Sequence, residues 1–502
     1  MKKYILMAFL SACGLSAFAQ AEFDALRFSQ TDIIGTARYV SMSGAFGALG
    51  GDMSAISLNP AGIGVYRSSE FSLSPAFQQD ITKSNLNKKM ADASKVNILM
   101  NGFGYVGSFR TYDESAISNF NFAITYNRVA DFNRNTNVVG VDRTTSLLDR
   151  ICAVENTMSY HTNFYDYVNG VHVIEPYVNT EGKNQYRPRL ENGELVNLSN
   201  MKMQESGGIN SWNFTLGANY NHSLYVGIGL GIQSIIYDKS TIFSEDYHLG
   251  GGTELRNALT TTGSGIDFKA GIIYRPVPEL RLGVSYRSGT YYMLTDVYKT
   301  SMASWGFNDP ISNIPYNPDP TVIGSETAVD YMLKTPWQLT LSAAYQFGSK
   351  GLLSVDFDCM DSRNTNLKSG DGFEMEDINY YIENDFKISY NVRVGGELRL
   401  TDNFSARLGG AYYMSPLVAN VETYDIATAY TSPEYSVPIS TVYGSMGIGY
   451  RSGAFFTDIA LQERISNEHF YDFCDMSIIS QSKYAALTRN KVNLVLTAGY
   501  KF

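Results

Sequence analysis

Asp356, Asp358 and Asp361 stand closest to a chemical constellation in this 502-residue chain. On a strand the first two would point the same way, where they would hold a cation or repel anions. Arg393, Arg399 and Arg407 follow on what read as nearby strands, and pairing with them is the commoner use of such acids in a polar interior. A second acidic group, Asp371, Glu374, Glu376 and Asp377, lacks the spacing of an EF-hand and reads as a solvated loop. Gly102-Phe103-Gly104-Tyr105-Val106-Gly107 matches G-x-G-x-x-G, but it lies in an alternating run with no helix after it, which a dinucleotide site requires. The five histidines (His161, His172, His222, His248, His469) show no ligand spacing. Cys152, Cys359 and Cys474, the cysteines left behind an export signal, form neither a disulfide framework nor a metal site. No serine–histidine–acid set and no zinc motif is recognisable. The expectation is a protein without catalysis, metal or cofactor.

The elements that would carry these residues are strands. Segments of alternating apolar and polar residues recur at 71–77, 103–109, 120–126, 212–220, 224–232, 266–274, 282–286, 337–347, 353–359, 390–398, 404–412, 442–450, 455–461 and 492–502, fourteen in all. Short connections near 110–118, 221–223, 276–279, 348–351, 401–403 and 451–453 separate long polar ones, 133–210, 238–264, 292–335, 361–385, 414–439 and 464–490. An even strand number with short turns on one side and long loops on the other is the pattern of an outer-membrane barrel. A soluble sandwich has no reason to sort its connections in this way. Beyond the leader no apolar run approaches the ~20 residues of a membrane helix. Aromatic residues make up 13% of the chain, with 36 tyrosines, and tyrosine suits a surface that is greasy at one end and wet at the other. The net charge of −10 leaves no basis for nucleic-acid binding, which needs clustered cations.

Fourteen strands enclose more space than side chains can fill, since about eight already suffice for a packed interior. Residues 20–69 precede the first strand and have the composition to occupy that space. Gly35–Arg67 holds seven glycines in thirty-three residues, which disfavours any long regular element. Asp52 would cap one short helical turn, and Asn59-Pro60 would end it. Phe46, Leu49, Met53, Ile56 and Leu58 need cover that a free loop would not give them. At the start, Lys2 and Lys3, an apolar run and Ala17-Phe18-Ala19 make residues 1–19 a secretory signal. Leu10-Ser11-Ala12-Cys13 is a rival lipoprotein box that would leave Cys13 lipidated. At the far end an alternating strand runs to Tyr500 and Phe502; it resembles the terminal signal by which the barrel assembly machinery recognises its clients. The expected fold is all-β: a transmembrane antiparallel β-barrel of about 14 strands, residues 70–502, with an N-terminal hatch from 20 to 69 in its lumen and a largest extracellular loop at 133–210.

The stretch ARYVSMSGAFGALGGDMSAISLNPAGIGVY, with Asp52 and the Asn59-Pro60-Ala61 triplet, resembles the FadL family of outer-membrane transport proteins. The likeness extends to TPWQLTLSAAYQF at 335–347 and to Tyr500-Lys501-Phe502, and its wording is nearest to members from Bacteroidetes-type bacteria. The resemblance implies a Gram-negative outer-membrane location among lipid and lipopolysaccharide, most simply as a monomer. It implies passive uptake of hydrophobic molecules, long-chain fatty acids in the best-known case, past a hatch gate that would include Phe46, Leu49, Met53 and Ile56. In the family a kink in the third strand opens a lateral exit; here residues 119–131 contain neither glycine nor proline, so no such exit is legible. Aromatic and apolar residues in the long loop (Tyr160, Phe164, Tyr165, Tyr167, Val171, Val173, Ile174) would either form a first capture site or pack a small core of the loop's own. Two other readings use the same barrel: a haem-binding receptor with loop histidines or tyrosines as ligands, and a surface adhesin or structural barrel.

Overall fold

The computed structural model describes residues 22–111, 116–157, 163–190, 196–307, 323–419, 421, 433–473 and 484–502. The export signal, Cys13, Tyr160, His161 and Cys474 lie outside them. In chain order the first strands are β1 (Glu70–Leu86), β2 (Lys89–Arg110), β3 (Ile117–Asp131) and β4 (Arg134–Arg143). A small hairpin, β5 (Ile174–Val178) and β6 (Asn184–Pro188), precedes the long β7 (Val196–Tyr220), β8 (Leu224–Tyr247) and β9 (Gly252–Val277). Next come β10 (Leu280–Arg287), β11 (Tyr291–Trp305), β12 (Ile323–Lys334), β13 (Gln338–Phe347), β14 (Gly351–Asp361) and β15 (Asn366–Ser369). The last five are β16 (Ile388–Arg399), β17 (Phe404–Met414), β18 (Tyr435–Ser452), β19 (Phe455–Tyr471) and β20 (Ala485–Lys501).

All except the hairpin belong to one antiparallel sheet of eighteen strands. Four staves of the wall are built from two segments each: β3 with β4 against β7, β10 with β11 against β9, β12 with β13, and β14 with β15. The ring therefore has fourteen staves, and each of the fourteen alternating segments falls on a different one. β20 closes it on β1, from Glu70↔Lys501 up to Asn85↔Ala486, and the chain end is stitched in by Phe502 N to Ser69 O and Ser69 N to Phe502 O, both 3.0 Å.

The wall is inverted relative to a soluble protein. On its outer face Phe71, Phe77, Trp212, Phe214, Ile228, Leu230, Leu341, Leu353, Ile448, Leu461, Leu494 and Tyr500 are exposed. Their inward neighbours Ser72, Gln78, Asn213, Thr215, Thr340, Asp356, Asp358, Arg393, Arg407, Asp458 and Thr497 are buried. Only lipid on the outside makes that arrangement favourable, each large apolar side chain gaining roughly 1.5–3 kcal/mol by leaving water. Closing the sheet also satisfies the backbone without an edge. The protein is an integral outer-membrane β-barrel.

The wall stands much taller than the bilayer. β7, β8 and β9 run to 25, 24 and 26 residues, where ~9–11 suffice to cross. The connections that read as polar loops at 133–210, 238–264, 292–335 and 464–490 are therefore in large part strand. The reason is visible in β8: up to Ile232 the apolar residues point out, and beyond Ser234 it is Ile235, Tyr237, Phe243 and Tyr247 that are buried inward. The alternation reverses phase where the strand leaves lipid.

Within this upper wall residues 144–157 and 163–190 fold as a lid. Helices α4 (Leu147–Thr157) and α5 (Asn163–Gly170) bury Leu147, Leu148, Ile151, Cys152, Val168 and Val171 against Phe243, Tyr247, Met302, Phe470 and Leu487 of the wall. (Three short helices of the hatch, described next, are α1 to α3.) Of the two uses foreseen for the loop's apolar residues, Val171, Val173, Ile174 and Tyr167 take neither alone: their packing is shared between lid and wall.

Candidate functional site

The hatch has three helical turns, α1 (Glu22–Ser29), α2 (Ala37–Ser41) and α3 (Met53–Leu58), and a 3-10 segment, Pro60–Val65. Asp52 caps α3, its Oδ1 accepting from Ser54 N at 2.9 Å, while its Oδ2 accepts from Thr36 Oγ1 at 2.7 Å. Thr36 in turn caps α2 through Tyr39 N at 3.1 Å. One carboxylate thus ties two turns together. Asn59 does the same for two others: Oδ1 accepts from Ala61 N at 3.0 Å, and Nδ2 donates to Gly47 O at 2.6 Å. Pro60 occupies the first position of the 3-10 turn, where its missing N–H costs nothing, and Ala61 is fully buried.

The wall holds the hatch mainly by side chains that bond hatch backbone. Asp356 Oδ2 accepts from Phe46 N at 3.0 Å and Gly47 N at 2.9 Å. Thr497 Oγ1 accepts from Ala37 N at 2.7 Å, Ser445 Oγ from Ser43 N at 3.1 Å, and Asn121 Nδ2 donates to Ile63 O at 2.6 Å. Of the three arginines foreseen for Asp356 and Asp358, Arg393 is the partner, at 2.8 Å from Asp358 and 3.4 Å from Asp356. Arg407 instead bridges Glu397 and Asp458, and Arg399 meets Asp402 at the rim. The acidic loop is also spoken for in part: Glu374 pairs with Lys368 at 2.7 Å.

Phe46 and Leu49 pack with Tyr39, Ala48, Ala344 and Val495. Met53 and Ile56 pack in a separate cluster with Ile63, Tyr66, Val106 and Ala123. The structure therefore divides these four residues between two contacts with the wall rather than gathering them along one channel. Tyr500 and Phe502 face outward at the periplasmic rim, stacked at 6.4 Å. The G-x-G-x-x-G run is strand throughout. Among the described histidines His222 bonds Asn219, His248 lies 3.1 Å from Asp142, and His469 stacks on Tyr484, each in a different place.

The wall parts at one position. β2 is bonded to β1 from Lys89 to Val106 but to β3 only from Gly102 to Arg110. Among the described residues, 89–101 carry no ladder on that second edge. The third stave breaks at Phe132-Asn133, and β4 moves behind the β1–β2 hairpin, where Ser84 Oγ donates to Asn137 O at 2.6 Å. The gap lies beside the outer part of the lipid belt, since Ile98, 82% exposed, sits across from Phe77. Unbonded backbone in lipid costs several kcal/mol per group and is tolerated only where it faces protein or a polar cavity.

On the third stave's side of the gap the hatch supplies a partner. Asp32 N donates to Val129 O at 3.0 Å, and Asp131 N donates to Asp32 Oδ2 at 3.2 Å. Arg464 holds the same carboxylate at 2.8 Å. A cavity of only about 10 Å³ remains between Asp32, Ile33, Ile34, Leu99 and Asn101, at most the room of one water. The hatch segment fills the gap at this level.

Above it α1 packs under the extracellular helix α6 (Glu376–Asp385), burying Phe23, Leu26 and Phe28 with Ile378 and Ile382. A cavity of about 150 Å³ adjoins α1. Every lysine and arginine lining it has a carboxylate in reach: Arg27 with Asp24, Arg134 with Glu205, Lys239 with Glu434, Arg464 with Asp32 and Arg489 with Asp80. Glu22, whose two oxygens find no bonding partner among the described residues, is pushed up to about 8 by burial, with Asp385 and Asp24 adding to the shift. A carboxyl raised in the docked state favours docking fully below its ordinary value near 4.5, and that contribution is lost as the pH rises through about 8. Chymotryptic cleavage at Phe28 should therefore be faster at pH 9 than at pH 6 in the native protein. Glu22→Gln should remove the difference when rates are compared at each pH; an equal pH response in both would place the titration elsewhere.

No protein-family model and no curated protein matches the sequence. Solved structures match in shape. A FadL homologue of Pseudomonas aeruginosa superposes with a TM-score of 0.54 at 14% identity, covering 94% of this chain and 99% of that one. The toluene transporter TodX of P. putida gives 0.51 at 12% identity over the same shares. The chain has the FadL-type barrel fold.

Proposed function

From a FadL-type barrel whose lumen is filled and whose wall is parted beside the filling, we propose that the protein is a non-catalytic outer-membrane conduit for small hydrophobic molecules, gated by its hatch. The parted ladder between β2 and the third stave, sealed by Asp32–Ile34, carries this reading. An adhesin has no use for a gap facing lipid, and a haem receptor would need converging ligands where the described histidines stand apart. A hydrophobic solute crossing lipopolysaccharide gains roughly 0.8 kcal/mol for each methylene it buries, and a side gap would let it leave without entering water. The likeness to a toluene transporter and the family resemblance bring monoaromatics and long-chain fatty acids as the two cargo classes to compare. In this reading Phe46, Leu49, Met53 and Ile56 seat the gate against the wall, and Asp52, Asn59, Pro60 and Ala61 fix its shape.

The test is uptake of labelled oleate and of toluene by cells with and without the protein, and with Asn59→Ala/Pro60→Ala. Saturable uptake of one of the two should require the protein and fall about fivefold in the variant, which loses a cap worth about 1 kcal/mol and a pre-set turn. Barrel migration on unheated gels should stay native. No protein-dependent uptake of either compound would overturn the reading, and loss of the barrel in the variant would instead make Asn59 and Pro60 structural residues.

A further inference from the structure

Charge is sorted on the two sides of the hatch. Above it each cation lining the cavity is matched by an acid, as described. Below it, facing the periplasm, lies a cavity of about 320 Å³, or roughly ten waters. Six charged cationic or acidic side chains line it: Arg38, Arg67, Glu279, Arg281, Arg451 and Lys501. Arg38 is committed to Glu397 at 2.9 Å and Lys501 to Glu70 at 3.1 Å. Arg67, Arg281 and Arg451 have no carboxylate within ion-pair distance among the described residues, and only Glu279 opposes them from the lining.

The three arginines are placed by the fold, not by each other. Arg67 leaves the hatch just before β1. Arg281 is anchored by Nη1 to Leu49 O at 2.7 Å, and Arg451 lies over the Phe456 ring, 5.9 Å from its centre. Three like charges around one hollow repel, and a carbonyl, a ring face and the single carboxylate of Glu279 offset that only in part. Apolar side chains share the lining, Leu49, Val65, Ala344 and Leu352, beside the polar Ser68 and Gln346. Cations and apolar side chains lining one hollow fit a molecule with an anionic head and a short length of chain.

We propose that this vestibule binds the headgroup of an anionic amphiphile, a carboxylate or a phosphate, with its first methylenes on Leu49 and Leu352. Guanidinium groups suit both heads because they bond oxyanions in pairs. The head can come from cargo that has passed the hatch or from a phospholipid of the inner leaflet. Binding is independent of transport, so the site stands or falls apart from the conduit reading.

The experiment is calorimetric titration of the full-length barrel in a neutral detergent with octyl phosphate, octanoate and octanol. Both anions should bind at least tenfold more tightly than octanol. Their binding should weaken when salt is raised from about 0.05 to about 0.5 M, and at least tenfold in Arg67→Gln/Arg451→Gln. That pair leaves the Arg281 contact with the hatch intact. Octanol binding as tightly as the anions, or anion binding unchanged in the double variant, would overturn the proposal. Native mass spectrometry separates the sources. Phospholipid carried by the wild type and lost in the variant identifies inner-leaflet lipid. Fatty acid lost while lipid is unchanged identifies cargo.

Discussion

Asp356→Ala should convert a shut barrel into a leaking one. Its Oδ2 is the acceptor for Phe46 N and Gly47 N, two amides buried in mid-lumen. Without it each is left unpaired at about 1–3 kcal/mol, and Arg393 keeps only Asp358. Several kcal/mol taken from one contact is comparable to what holds a small packed segment in place. The wall itself should survive, because β13, β14 and β16 remain bonded through their backbones. In planar bilayers the native protein should show little ion current, and the variant a stepwise conductance, with entry of hydrophilic antibiotics in cells. Asp356→Asn, which keeps an acceptor oxygen, should leak far less. A variant as tight as the native protein would show that the hatch is held by its other contacts.

The second large effect comes from the opposite manipulation, fixing the hatch to the wall. A Cβ at Gly47 would lie 2.9 Å from Ser342 Cβ, against the ~3.8 Å usual across a disulfide, so the two backbones must part by roughly an ångström for the bond to form. In the oxidising cell envelope Gly47→Cys with Ser342→Cys should crosslink. If the hatch has to move for Asp32–Ile34 to clear the side gap, uptake should drop at least tenfold and return on adding a reductant. Ser342→Cys alone should transport normally; Gly47→Cys alone crowds Ser342, and any loss it shows should not respond to a reductant. Undiminished uptake by the crosslinked protein would mean that cargo passes a hatch that stays seated between β13 and β14.

The fourteen staves were legible because lipid imposes one strict phase. Phe214, Leu216, Ile228 and Leu230 all point outward, and a single residue's slip would expose polar groups to acyl chains. Strand length was not legible for the same reason. At Ser234 the apolar set changes sides, and a reading that follows one phase stops there. The break in the third stave left no mark on 119–131, yet one existed on the neighbouring strand. Gly207 has φ +106°, a conformation few residues other than glycine adopt, and its carbonyl accepts from Phe132 N at 3.2 Å. In the hatch the local turns at Asp52 and Asn59 follow from short-range capping rules. The contact of Asp356 with Phe46 spans 310 positions and joins a side chain to backbone amides, which carry no residue identity to read.

The hatch rests on bare peptide where it meets Gly227, Gly271, Gly283 and Gly409. A methyl group at these places would overlap Pro60 O, Asn59 Oδ1, Gly47 O and Met42 respectively. Such a seat accepts change in one direction only. The plug side can shrink and leave a void, but the wall side cannot grow until its counterpart has given way. Plug and cylinder are therefore bound to diverge as a matched set. A chimera that carries the N-terminal segment of another barrel of this shape would need the facing glycine positions transplanted with it, however similar the two outlines look from outside.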